Sequence, residues 1–398
     1  MTARSESSIP RVILKGGRDG PVRGGNPWVF SKAIEKTEPG SIDAGGTVEV
    51  YSSGGTLIGL GYFNPATTIA IRMLAFGPAP ALKDLVARRL ENALALRRRL
   101  VGSDTDSYRV VNGEGDGLPG VVLDRYADVV VVQFLTAGAD RMRELVAAEI
   151  DRLINPRAII ERSIGAVRKQ EGLEDRTGIV AGEAAESGIA TENGIRVRVD
   201  FAHGQKTGYF LDQRENRLRM RGAAKGARVL DAYCYGGGFM LAALAGGASR
   251  VVAIDSSERA LGLARKNLEL NGHYPNAAEL IHSDAAKFMA ETVERFDIIV
   301  LDPPPLARSR SDVERAGRLY IELNAAAMRT VAPGGQLMTF SCSTHFAGED
   351  FVRAVRYAQP SAGRNFRIIA HLGPGSDHPV LLGHAEGGYL TGLHLAEL

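Results

Sequence analysis

Val229-Leu230-Asp231-Ala232-Tyr233-Cys234-Tyr235-Gly236-Gly237-Gly238-Phe239 reads as a β-strand, a glycine-rich turn and the start of a helix. Glycine lets a backbone come close to a ligand. The stretch is not the GxGxxG dinucleotide fingerprint, because Tyr233 and Tyr235 stand where glycines are usual. Downstream, strands and helices alternate. Strands are expected at 228–231, 251–255, 280–284, 297–302, 336–341, 366–371 and 389–395. Seven strands with intervening helices predict an α/β fold with a Rossmann-like, mostly parallel, doubly wound sheet.

Such sheets bind ligands beyond the carboxyl ends of their strands. The second strand ends at Asp255-Ser256, where an acid can hold ribose hydroxyls. The third ends at Ser283-Asp284-Ala285, where an adenine is commonly held. Either aspartate alone could equally be a helix N-cap. In register together, and followed by Asp302-Pro303-Pro304, they favour S-adenosylmethionine over a nicotinamide dinucleotide. Cys342, in Phe340-Ser341-Cys342-Ser343-Thr344-His345, follows the strand after the one that ends at Asp302. Neighbouring strands lie about 4.8 Å apart, so thiol and carboxylate could share one substrate.

The rest of the chain sets limits. It has 398 residues, 44% hydrophobic and 24% charged, as expected for a soluble protein of two or three domains. A formal charge of +2 announces no bulk attraction to nucleic acid, so any RNA surface must be local. Two clusters offer one: Arg88, Arg89, Arg97, Arg98 and Arg99, then Arg214, Arg217, Arg221 and Lys225 along one expected helical face. The polar residues 1–10 lack a signal-peptide pattern, and no apolar run is long enough for a membrane. Two cysteines without CxxC spacing point to a reducing cytoplasm and to no metal.

Residues 1–78 read as a small β domain, with strands at 11–14, 47–51, 57–63 and 68–73 and glycine-rich turns between. Residues 79–200 read as a small α+β connecting domain. It has helices at 81–101 and 141–154, strands at 120–124, 129–135 and 157–161, and a hairpin at Glu192-Asn193-Gly194. The sheet described above fills residues 201–398. Trp28 is expected in the core of the first domain rather than as a stacking platform for RNA.

Several motifs, taken in order, carry a resemblance. They are Pro27-Trp28-Val29-Phe30, Gly61-Tyr62-Phe63-Asn64-Pro65, the run Gly204-Gln205-Lys206-Thr207-Gly208-Tyr209-Phe210-Leu211-Asp212-Gln213-Arg214-Glu215-Asn216-Arg217, Cys234 to Phe239, Asp302-Pro303-Pro304, Ser341-Cys342-Ser343 and Asp377-His378-Pro379-Val380. Together they resemble the large-subunit ribosomal RNA cytosine-5 methyltransferase I family over nearly the full chain. The resemblance implies a PUA-like RNA-binding domain, a connecting domain and a class I methyltransferase domain using S-adenosylmethionine on ribosomal RNA. It places Asp255 and Ser256 on the ribose, Asp284 and Ala285 by the adenine, and Gly236, Gly237 and Gly238 around the methionine part. Asp231, Tyr233 and Asp302 join the cofactor set, Gln213 and Arg214 close it, and a homodimer is left open. Pro305 departs from the family pattern.

In this reading Cys342 is the nucleophile, and Asp302 assists proton transfer or orients the base. C5 of cytosine is a poor nucleophile until a thiolate adds at C6. Ser341 and Ser343 read as turn residues, and Cys234 as packing. Two alternatives stand beside this one. Methylation of an exocyclic amine would need no cysteine, and it usually has an aromatic where Pro305 stands. A non-catalytic RNA-binding scaffold would not need Asp231, Asp255, Asp284, Asp302 and Cys342 together.

Overall fold

The computed structural model describes residues 9–274, 276–307, 309–343 and 345–398. Most of the polar stretch 1–10 and Thr344 of the cysteine motif lie outside these. Seven strands form the sheet that positions the site: β1 Arg228–Ala232, β2 Arg250–Asp255, β3 Glu279–His282, β4 Phe296–Leu301, β5 Val331–Ser341, β6 Phe366–Leu372 and β7 Thr391–Glu397. Their spatial order is β3-β2-β1-β4-β5-β7-β6. β7 runs antiparallel to both its neighbours, opposite in direction to the other six strands of this sheet. The third strand is shorter than expected and ends at His282, so Ser283 and Asp284 fall in the following turn.

The apolar runs of these strands divide between the two faces of the sheet, as a period of two requires. Val229, Val251, Ala253, Ile298 and Val300 pack against α1 Arg214–Ala223, α2 Gly238–Ala245 and α3 Glu258–Leu270. Leu230, Val252, Ile254, Ile299 and Leu301 face α4 Ala285–Glu291, α5 Val313–Thr330 and α6 Glu349–Ala362. Strand order reverses between β1 and β4, which opens a crevice at their carboxyl ends.

The N-terminal sheet has six strands, in the order Trp28–Phe30, Ile69–Phe76, Leu57–Phe63, Gly46–Tyr51, Arg11–Leu14 and Ile34–Glu38. The next sheet has five, in the order Arg176–Gly182, Ala158–Ser163, Val129–Phe134, Val121–Tyr126 and Ser107–Asn112. The helices Leu82–Leu100 and Arg143–Ile154 pack on it. Strands Trp28–Phe30, Ile34–Glu38, Ser107–Asn112 and Arg176–Gly182 were not expected. Ile34–Glu38 and Arg176–Gly182 are largely exposed edge strands, and Ser107–Asn112 is an edge strand that buries the polar Ser107 and Arg109. Leu60, Tyr62 and Leu74 of the first sheet share one core with Val121 of the second and with Val86 and Leu90 of the helix Leu82–Leu100.

The hairpin Ser187–Glu192/Ile195–Asp200 places Ala190, Val197 and Val199 in the core over α2 and α3. Asn267 of α3 ties the hairpin to the glycine turn. Its side chain accepts from Arg198 N at 2.8 Å and donates to Gly236 O at 2.9 Å.

Packing removes part of each expected basic surface: Arg88, Arg98, Arg99 and Lys225 are exposed, whereas Arg97, Arg214 and Arg217 are buried. In α1, Arg214 and Arg217 are buried, and Lys225 lies beyond the helix end. Arg217 makes two 2.6 Å bonds to Glu192, and Arg214 pairs with Asp377 at 3.1 Å. Arg221 donates to Asn193 O at 2.9 Å. Arg97 is fully buried on Asp116 and Asp377 O. Isolated buried guanidinium groups are costly, so these side chains follow their carboxylates inward instead of facing solvent.

Candidate active site

The turn after β1 holds left-handed backbone at Tyr233, Tyr235 and Gly237, with φ of 66, 48 and 78°. A bulky residue in that region is an outlier that its surroundings must enforce. Here Tyr235 N donates to Asp255 Oδ2 at 2.9 Å, and Tyr235 Oη accepts from Gln205 N at 3.2 Å. A Cβ at Gly236 would press on Leu263, and one at Gly238 would meet the Tyr209 hydroxyl at 2.7 Å. These glycines therefore serve close packing as well as any ligand.

Asp231 is buried and accepts from Met240 N at 2.9 Å, bonding the first turn of α2. Burial first, then Asp302 and Asp255, push its carboxyl up to about 7. Asp255 ends β2 and accepts one backbone N–H on each oxygen, from Tyr235 and from Ser257, both at 2.9 Å. A carboxylate has about four lone-pair sites, so capacity for two ribose hydroxyls is left. Asp284 caps α4 through Lys287 N at 2.8 Å, and Ala285 behind it is buried. Ser256 lies at the same edge, its carbonyl 2.9 Å from His282 Nε2. Burial, then Asp284 and Asp255, raise the Tyr233 phenol to about 12, so these three side chains share one neighbourhood.

Asp302 and Cys342 follow the carboxyl ends of the neighbouring strands β4 and β5. Leu301 of β4 is level with Thr339 of β5, and the Cys342 thiol lies 3.6 Å from Pro303 O. Burial, then the Asp302 charge, push the Cys342 thiol up to about 12. Burial, then Asp212, raise Asp302 to about 7. A chain of hydrogen bonds holds Asp302: Gln213 Nε2 donates to it at 2.9 Å, and Asn216 Nδ2 bonds Gln213 Oε1 at 2.6 Å and Gly373 O at 2.9 Å. Gln213 thus reaches the site, whereas Arg214 turns away to Asp377.

Ser341 and Ser343 are fully buried and clamp the two loops together. Ser343 Oγ accepts from Leu306 N at 3.0 Å and Ala307 N at 3.2 Å, fixing the segment after Pro305. Ser341 donates to Phe346 O at 2.7 Å and touches the Tyr320 hydroxyl at 2.9 Å. Cys234 packs in the core beneath the glycine turn.

Residue-type reasoning missed Lys206. Its ammonium bonds buried Asp212 at 2.5 Å and lies over the rings of Phe210 and Tyr389 at 4.7 and 5.5 Å. Tyr389 donates to the same Asp212 oxygen at 2.5 Å. Lys206 stands inside the long signature run, but nothing local in the sequence shows that Tyr389 closes over it.

The rest of Asp377-His378-Pro379-Val380 is a latch between units. Asp377 accepts from Arg109 N at 2.9 Å, and Asn112 Nδ2 donates to Pro379 O at 3.0 Å. Trp28 is neither barrel core nor an open platform. Its Nε1 donates to Glu114 at 2.8 Å, and its ring meets His384 edge-on at 4.3 Å.

Comparison with known proteins decides the family. Residues 167–362 match the S-adenosylmethionine-dependent methyltransferase family, and residues 12–76 match a PUA-like domain. The ribosomal RNA large subunit methyltransferase I of Aeromonas hydrophila is 40% identical over 96% of this chain and 98% of its own. This chain belongs to that family. The protein of the same name from Escherichia coli O139:H28 is 38% identical over 96% of this chain and 98% of its own. A methyltransferase crystallised with SAH (SMU.776) superposes with a TM-score of 0.83 at 20% identity, over 97% of this chain and 99% of that one, which shows the shared fold. The fold is a class I methyltransferase with an N-terminal PUA-like domain, and the cofactor is S-adenosylmethionine. The free lone pairs of Asp255 beside the turn suit the ribose of that cofactor. Among the described residues no helix is long and apolar enough to cross a membrane, and no group of three or more His, Cys, Asp or Glu could hold a metal.

Proposed function

We propose that this chain methylates C5 of a cytosine in large-subunit ribosomal RNA through a covalent Cys342 adduct. The observation that carries the reading is Cys342 beside Asp302 at the ends of adjacent strands, across the crevice from Asp255. Relatives named ribosomal RNA large subunit methyltransferase I support the substrate class. Asp255, Ser256, Asp284 and Ala285 would hold the nucleoside of the cofactor, and Asp231, Tyr233, Gly236, Gly237 and Gly238 its methionine end. In this scheme residues 1–78 bind RNA, 79–200 connect, and 201–398 carry the chemistry in the cytoplasm.

Bound S-adenosylmethionine supplies an electrophilic methyl group. The Cys342 thiolate adds to C6 of cytosine and moves an electron pair to C5, which takes that methyl. Asp302 then accepts the C5 proton. The C5–C6 double bond re-forms, and the C6–S bond breaks to return the thiolate. A carboxyl near 7 is poised for such a transfer at neutral pH.

Mass spectrometry of ribosomal RNA from cells lacking the protein tests the reading. We expect one 5-methylcytosine to disappear, and to return with the wild-type protein but not with Cys342→Ala. An unchanged 5-methylcytosine content, or loss of an N-methylated base instead, overturns it.

A further inference from the structure

Gly373 O is a backbone carbonyl and can only accept a hydrogen bond. The Asn216 side-chain atom 2.9 Å from it is therefore the amide nitrogen, Nδ2. That nitrogen carries a second hydrogen, which goes to Gln213 at 2.6 Å, so the Gln213 atom facing Asn216 is the oxygen, Oε1. The other end of the Gln213 amide, Nε2, is left 2.9 Å from Asp302 Oδ2. A backbone carbonyl thus sets the sense of every bond up to the carboxylate. Resting on the proposed function, in which Asp302 takes the C5 proton, we propose that Asn216 is a positioning residue that locks the Gln213 amide with its N–H toward Asp302 and so keeps that carboxyl able to accept a proton.

The lock is built into the fold. Gln213 and Asn216 are 2 and 4% exposed, so water has little access to their amides. The loop that carries Gly373 follows β6 and is tied to the segment 212–216 at three further points. Gly375 N donates to Asp212 O at 2.9 Å, Ser376 N donates to Glu215 Oε1 at 2.8 Å, and Arg214 pairs with Asp377 at 3.1 Å. A flipped Gln213 would set Nε2 against the Asn216 donor and Oε1 against the Asp302 carboxylate, like against like at both ends. A hydrogen bond donated to a carboxylate favours its charged form, whereas an acceptor in the same place favours the protonated acid. Burial and Asp212 raise Asp302, while Lys206, the Gln213 bond itself and Arg217 lower it. Asp231 of β1, Cys342 after β5 and Tyr320 of α5 share its surroundings. Among these groups only the Gln213 amide can reverse its effect by turning over, and Asn216 holds its far end.

The test is the titration of Asp302 in the full-length protein, followed by infrared spectroscopy on the carboxyl band that Asp302→Asn removes. The wild-type midpoint is expected at about 7. Asn216→Leu, similar in volume but without a donor, frees the Gln213 amide to turn and should raise the midpoint by about one pH unit, a tenfold change in proton affinity. Asn216→Ser has a single hydroxyl hydrogen, which cannot hold both Gly373 and Gln213. It should move the midpoint the same way by less, and it carries the test if the leucine variant does not fold. Gln213→Met should also raise the midpoint, and adding Asn216→Leu to it should add nothing, because Asn216 acts through Gln213. In Asn216→Leu, turnover at pH 7 should fall about fivefold as the ionised fraction of Asp302 drops, while S-adenosylmethionine affinity by calorimetry stays near wild type. A merely structural Asn216 would lower the melting temperature and leave the midpoint alone. Midpoints of both Asn216 variants at the wild-type value, or shifts that add in the double variant, overturn the proposal. A midpoint that moves as expected while Asp302→Asn keeps wild-type turnover overturns the proton-acceptor reading instead, and the lock on Gln213 stands.

Discussion

Cys234 and Cys342 leave strands of the same sheet at the same edge, and burial pushes both thiols up. Cys234 is buried beneath the glycine turn and packs with Phe239 and Ala264 in one core. Cys342 is half-buried, with Asp302 and Lys206 acting on it and two serines fixing the loops around it. Position at a strand end is shared, so position cannot be what makes a cysteine chemical. Access separates the two, because a thiolate must reach its substrate to react and Cys342 is only partly buried.

The largest effects should fall on one cysteine only. Cys342→Ala should abolish methyl transfer while S-adenosylmethionine binding by calorimetry is unchanged. Cys234→Ala should keep turnover within a few-fold and cost about 1 kcal/mol of stability, as core truncations of this size do. Comparable activity loss in both variants would erase the contrast.

Asp302→Asn should lower turnover by about 10²–10⁴-fold, the usual contribution of a positioned proton acceptor. Asp302 acts as a base only when ionised, and its pKa is raised to about 7. Wild-type turnover should therefore show an inflection near pH 7 superposed on the rise from Cys342 ionisation, and the residual activity of the Asn variant should lose that inflection. A variant keeping the same profile would take Asp302 out of proton transfer.

Asp255→Ala should weaken S-adenosylmethionine by at least about tenfold, the equivalent of roughly 1.4 kcal/mol, with little effect on Cys342 alkylation. Calorimetry that finds equal affinity would remove Asp255 from the cofactor site.

Asp231 gives the smallest effect, on stability. Its folded pKa of about 7 lies above the unfolded value of 3.8, so the folded state binds more protons between them. Stability from this group is full at the acid end and lost as pH rises toward 7. Asp231→Asn should flatten that part of the melting-temperature profile. An identical slope in both proteins would show that Asp231 does not titrate there.

The sheet was legible because its strands are long apolar runs, and the acids at their ends fall at the spacing the fold imposes. Asp255, Asp284 and Asp302 could be placed from one sequence for that reason. The arginines of α1 could not. Their spacing on one face is real, but whether that face meets water depends on Glu192 and Asp377, which only the tertiary fold brings to it. Lys206 was hidden in the same way, since Tyr389 and the Thr207–Asp124 anchor come from distant segments. Residues 1–78 also lean on the connecting segment. Tyr62 bonds Pro119 O at 3.0 Å and Thr136 at 2.6 Å, and Arg72 pairs with Glu171 at 2.8 Å. Truncation there would strip a shared core, so point changes on the exposed face of the first sheet probe RNA binding more cleanly.

The most direct test of the account is a covalent trap. Fluorine at C5 cannot leave as a proton does, so RNA carrying 5-fluorocytosine at the target should stay bound to the enzyme after methyl transfer. We expect a denaturant-resistant complex that requires S-adenosylmethionine, maps to the Cys342 peptide, persists in Cys234→Ala and is absent in Cys342→Ala. Methylated product from wild type with no trapped complex, or a complex that survives Cys342→Ala, would contradict it.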